Sequence, residues 1–74
     1  MATIDVVSDV TGTVWEIIAA VGLSLDEDDE IIIIESMKME IPVGMPEDGT
    51  VTEILVAGSG AVTEGQVVAR ITVT

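Results

Sequence analysis

Glu35-Ser36-Met37-Lys38-Met39-Glu40 lies at the midpoint of the chain and holds its only lysine, set between two methionines and two glutamates. Before it runs Ile31-Ile32-Ile33-Ile34, a β-branched stretch suited to a buried strand. After it comes Ile41-Pro42-Val43, a second short extended segment. Strands joined this closely make a hairpin, which predicts Met37 and Lys38 at the tip, with Glu35 and Glu40 leaving along opposite arms.

Working outward, 74 residues predict one domain, whose small size limits it to burying roughly 60% of its unfolded surface. No cysteine is available for disulfides or thiolate ligands. With 49% hydrophobic residues, many of them Val and Ile, and Trp15 as the sole aromatic, the core is expected to be aliphatic and the fold β. Two basic residues against fourteen acidic ones give a net charge of −12, which rules out a basic stripe for phosphates. Nucleic acid and anionic membranes are therefore not expected partners. Met1-Ala2-Thr3-Ile4-Asp5 lacks the features of a signal peptide, and no apolar run approaches the ~20 residues that span a bilayer. The expectation is a soluble cytoplasmic protein, monomeric when isolated.

In chain order, Ile4 to Val7 reads as a short strand ended by Ser8-Asp9, with Gly12 completing a turn. Thr13 to Ile18 is rich in β formers and reads as the next strand, since Gly22 follows too soon for a useful helix. Leu23-Ser24-Leu25 leads into Asp26-Glu27-Asp28-Asp29-Glu30, five carboxylates that predict an exposed turn before the central strand. The second half then echoes the first. Gly12-Thr13-Val14-Trp15-Glu16-Ile17-Ile18 returns as Gly49-Thr50-Val51-Thr52-Glu53-Ile54-Leu55, a shift of 37 residues. The same shift carries Ala20 to Ala57, Leu25 to Val62, Glu27 to Glu64, Ile31 to Val68 and Ile34 to Ile71. Two quasi-repeats, about 1–37 and 38–74, are expected to share one core within a single domain 1–74, because ~35 residues could hardly stand alone.

Glu-Ser-Met-Lys-Met-Glu resembles the attachment motif of biotin carboxyl carrier domains, in which the lysine between two methionines receives biotin. Met45-Pro46-Glu47-Asp48-Gly49-Thr50-Val51 is similar to the family's Pro-x-Asp-Gly-x-Val stretch, and Thr63-Glu64-Gly65-Gln66-Val67-Val68 to its last turn and strand. The likeness is nearest to free-standing biotin/lipoyl attachment proteins that lack a thumb loop. Two turns depart from the family pattern: Asp28 stands where glycine is usual, and Ser59-Gly60 where Gly-Asp is usual. The resemblance implies a flattened β-barrel, a barrel-sandwich hybrid of two four-stranded sheets with pseudo-twofold symmetry and the attachment lysine on a hairpin tip. It also implies covalent biotin on Lys38, added by a biotin protein ligase that recognises Met37, Met39, Glu35 and Glu40. The chain would then be a non-catalytic carrier, shuttling carboxybiotin from a biotin carboxylase to a carboxyltransferase that serves an acceptor such as an acyl-CoA.

Blander readings compete with each feature. A lone lysine on an acidic surface is ordinarily a solvated charge, and Met37 and Met39 could be core filler. Asp26, Asp28 and Glu30 alternate as calcium ligands do, yet Ile31 replaces the loop glycine and Met37 the final acid, so no metal is expected. Gly58-Ser59-Gly60 lacks the following Lys and Ser/Thr of a phosphate loop. With no His, Cys or Tyr, the serines have none of the usual activating bases, and no catalytic residue is assigned. Two further functions stay open: a lipoyl carrier, which usually has Asp before and Ala after its lysine, and an unmodified acidic β module that binds a protein partner.

Overall fold

The isoleucine run before Lys38 forms the inner strand of a four-stranded sheet, because three of its four side chains reach the core. The computed structural model describes residues 2–73. Its strands are β1 Thr3–Val7, β2 Gly12–Ile17, β3 Ser24–Leu25, β4 Glu30–Ser36, β5 Met39–Gly44, β6 Gly49–Ile54, β7 Ala61–Val62 and β8 Val67–Val73. They build two antiparallel sheets in the orders β1-β8-β6-β3 and β5-β4-β2-β7, the all-β architecture that the sequence predicts. No helix among the described residues is long and apolar enough to cross a membrane. Strand limits differ slightly from the sequence reading. Gly12 opens β2 and Ile17 closes it, while β5 begins at Met39 because pairing with β4 continues to Ser36 opposite Met39.

A regular strand alternates its faces, yet Ile31, Ile32 and Ile34 are all fully buried. The register slips between Glu30 and Ile32, so Ile31 is an extra residue that turns inward, and Ile33 alone faces out. The inner faces of both sheets pack Val6, Val14, Ile31, Ile32, Ile34, Val43, Met45, Val51, Val62, Val68 and Ile71 into one aliphatic cluster. Trp15 is not in it. It is the extra residue of a bulge between Val14 and Glu16 and is 51% exposed. Pro42 sits on edge strand β5, where its missing N–H leaves no central ladder bond unmade.

A shift of 37 residues relates the sheets in space. It carries β1, β2, β3 and β4 onto β5, β6, β7 and β8, and one sheet order onto the other. Hydrogen bonds follow it: the Asp26 N–H donates to Asp29 Oδ2 at 2.9 Å and the Thr63 N–H to Gln66 Oε1 at 3.0 Å. Likewise the Glu27 N–H donates to Asp48 Oδ1 at 2.7 Å and the Glu64 N–H to Thr11 Oγ1 at 2.9 Å. The two turns that depart from the family pattern keep a left-handed backbone. Asp28 has φ 73° where its counterpart Gly65 has 85°, and Ser59 has φ 67° where Gly22 has 94°. Non-glycine residues hold these turns against a steric cost that Asp tolerates better than most.

Candidate functional site

Strands β4 and β5 pair from Glu30 opposite Gly44 to Ser36 opposite Met39, leaving only Met37 and Lys38 in the turn. Both have positive φ, 51° and 65°. That is the pattern of a type I′ hairpin turn, whose twist matches the strands and whose usual residues are Asn-Gly. For side chains as large as Met and Lys it is a strained choice, of order 1–3 kcal/mol per residue. The core holds it, because Ile34 and Val43 on the two arms are buried and their register permits no other turn.

The strained turn pushes both side chains outward. Met37 is 93% exposed and Met39 61%, so neither is core filler; the methionine that fills the core is Met45. Lys38 is exposed, and among the described residues the ion pairs belong to Arg70, with Asp5 at 2.9 Å and Glu53 at 3.3 Å, not to Lys38. Glu35 and Glu40 lie directly opposite one another on the arms, both exposed. Like charges so placed weaken a strand pair. The structure therefore brings together every residue singled out from the sequence: Glu35, Met37, Lys38, Met39 and Glu40.

The root of the hairpin has partners that sequence reasoning missed. Ser36 Oγ donates to the Thr11 carbonyl at 2.9 Å, while Thr11 Oγ1 takes the Glu64 N–H. Gly12 lies flat against the Glu35 carbonyl, so close that a Cβ there would overlap the oxygen. Three segments distant in sequence, the 8–11 loop, the β4–β5 hairpin and the 63–66 turn, are thus clasped just beneath the lysine. The one signal available was Gly12 recurring as Gly49, which is pressed in the same way against the Thr72 carbonyl.

Chemically, the tip offers an exposed primary amine that makes no ion pair among the described residues. The acidic turn is built differently. Within it Asp29 accepts the Asp26 N–H, Asp48 from the segment before β6 accepts the Glu27 N–H, and no group of three or more potential ligands among the described residues could hold a metal ion.

A family model described as "Biotin-requiring enzyme" (Biotin_lipoyl) matches residues 2–71. The chain is 36% identical over 66 residues to the biotin-dependent acyl-coenzyme A carboxylase alpha3 subunit of Mycobacterium leprae, covering 89% of this chain but only 11% of that protein. It is 36% identical over 56 residues to the biotin/lipoyl attachment protein of Bacillus subtilis, covering 76% of this chain and 77% of that one. Among solved structures, the urea carboxylase of Kluyveromyces lactis superposes with a TM-score of 0.92 at 38% identity, over 97% of this chain and 6% of that one.

Proposed function

The chain belongs to the biotin/lipoyl attachment family, and on that premise we propose that it is a biotin carboxyl carrier whose Lys38 bears the prosthetic group. One observation carries the reading: the sole lysine, in no ion pair among the described residues, stands on a strained two-residue turn between two exposed methionines. In this reading residues 1–74 act as one carrier domain of two quasi-repeats and have no catalysis of their own. The biotin-dependent carboxylase among its relatives and the Met-Lys-Met sequence favour biotin over lipoate.

Each part of the hairpin then has a task. Lys38 would hold biotin through an amide between Nζ and the biotin carboxyl carbon, the ammonium giving up two protons within a biotin protein ligase while AMP leaves the carboxyl carbon that the ligase had activated with ATP. Met37 and Met39 give the ligase an adaptable apolar surface on either side of the amine. Glu35 and Glu40 mark the arms with negative charge, and the clasp of Ser36 and Thr11 keeps the tip from swinging. When bound, biotin supplies a ureido ring that accepts and gives up a carboxyl group. The domain supplies reach: a tethered group meets a biotin carboxylase and then a carboxyltransferase at an effective concentration set by the tether. An acyl-CoA is the acceptor suggested by the acyl-coenzyme A carboxylase subunit among the relatives.

Intact mass after co-expression with a biotin protein ligase tests this. One biotinyl group on the wild type and none on Lys38→Arg is the expected pair of results. Biotin on Lys38→Arg, or an unmodified wild type, would refute it.

A further inference from the structure

Because the two sheets follow one plan, the outer face of each is a control for the other. On the outer face of β1-β8-β6, Arg70 bridges the strands, donating from Nε to Asp5 at 2.9 Å and from Nη1 to Glu53 at 3.3 Å. These partners, Asp5 first and Glu53 second, raise the guanidinium above its ordinary pKa, so this face is closed by its own charges. Of that ladder the positions 37 residues away on β5-β4-β2 keep only Glu16, the counterpart of Glu53. Ile33 stands for Arg70, Pro42 for Asp5 and Trp15 for Thr52, while the carboxylates of Glu16, Glu35 and Glu40 border them.

The register makes this one continuous face. Ile33 lies opposite Pro42 on one side and Glu16 on the other, with Trp15 beside Glu16 in the bulge. Trp15 is 51% exposed, Pro42 is exposed and Ile33 is half-buried. Two residues further along β4 and β5, roughly 7 Å at strand spacing, comes the Glu35 and Glu40 pair, and the Lys38 turn follows at once. Among the described residues none of Glu16, Glu35 and Glu40 has an ion-pair partner. An apolar centre with an aromatic and a charged rim is how protein docking sites concentrate their binding energy.

We propose that this face docks the ligase that acylates Lys38, through a surface of the ligase with an apolar patch bordered by basic side chains. The proposal rests on the carrier reading and names the surface that reading leaves open. Reach selects the ligase over the enzymes that act later. The bare amine sits on a four-carbon stem, so the ligase must close on the tip itself and its body then meets the adjoining face. Enzymes that act on the attached ring work at the end of a longer arm and need no such contact. Charge selects a basic rim, since positive side chains would relieve the opposed carboxylates of Glu35 and Glu40.

The chain contains its own replacement for this face. A triple variant, Trp15→Thr, Ile33→Arg and Pro42→Asp, puts the residues of the polar face at the equivalent positions, where the new guanidinium would engage Glu16 as Arg70 engages Glu53. Biotinylation of this variant is measured with a purified biotin protein ligase, biotin and ATP, with the carrier as the varied substrate. The expected result is a KM for the carrier raised about tenfold or more with kcat held within about twofold, the signature of lost binding. Arg70→Ala, on the opposite face, should leave both constants unchanged. Should the triple variant fail to melt cooperatively, Trp15→Thr alone replaces it, with an expected rise in KM of about threefold. A KM equal to that of the wild type in the folded variant overturns the docking face while the carrier reading stands. A wild type that takes no biotin overturns the carrier reading and this face with it.

Discussion

Gly12→Ala and Gly49→Ala form a matched pair, because each adds one methyl group at equivalent places in the two halves. At Gly12 the new Cβ would overlap the Glu35 carbonyl oxygen and lie 3.0 Å from Ile34 Cγ2; at Gly49 it would overlap the Thr72 carbonyl oxygen and lie 3.4 Å from Val73 Cα. Both obstacles are mainly backbone, which cannot rotate aside, so the facing strands must part by several tenths of an ångström. Overpacking of this kind costs about 1–3 kcal/mol. For a domain of this size each kcal/mol lowers Tm by about 4–8 °C, so both variants should melt roughly 4–24 °C below the wild type. Function should separate them. The displaced strand in Gly12→Ala carries Glu35 and Ser36, whose hydroxyl anchors the hairpin to Thr11, whereas Gly49→Ala disturbs β8 at Thr72 and Val73. Thermal melts by circular dichroism and ligase kinetics at a temperature well below both midpoints provide the two readouts. Gly12→Ala should slow biotinylation of Lys38, and Gly49→Ala should leave it near the wild-type rate. Unchanged melting of both variants would refute the close strand approach, and equal slowing by both would refute local control of the tip by its clasp.

Three further outcomes are expected. Ser36→Ala removes the hydrogen bond to Thr11 and should lower stability by about 0.5–1.5 kcal/mol while reducing the efficiency of biotinylation, measured by the same melts and kinetics. Asp28→Gly relieves a left-handed backbone and takes one of five adjacent carboxylates from an exposed turn, so it should raise Tm at low salt. That advantage should shrink as salt screens the remaining charges, which a melting series from about 0.01 M to 1 M ionic strength will follow. Changing Met37 to Asp and Met39 to Ala should turn modification from a biotin ligase towards a lipoyl ligase with Tm nearly unchanged, since 93% and 61% exposure leaves both methionines outside the core.

The hairpin was legible because its evidence is local: four isoleucines, a short intervening stretch and a second extended segment can pair in few ways. The aliphatic core was legible for a similar reason, since a chain rich in Val and Ile with one aromatic has little else to bury. Other features depend on contacts that no local pattern encodes. The bulge at Ile31 breaks strict alternation, so Ile33 could not be told from its buried neighbours by period alone. Trp15, the largest apolar side chain, lies outside the core because its bulge turns it to solvent. Residue preferences even argue against the positive φ of Met37 and Lys38, which the pairing of the arms imposes on the turn. Ser36 and Thr11 are 25 residues apart and meet only where β4 pairs with the strand that follows Thr11.

Competition between the two prosthetic groups shows which one Lys38 accepts. The wild-type chain, freshly purified and unmodified, is incubated with ATP, biotin and lipoate at equal concentrations, together with a biotin protein ligase and a lipoate ligase matched in activity. Intact mass and peptide mapping then read what is attached and where. The expected result is one biotinyl group per chain, on Lys38, with lipoate at background. Lipoate on Lys38 in place of biotin, or an amine left bare by both ligases, would contradict it.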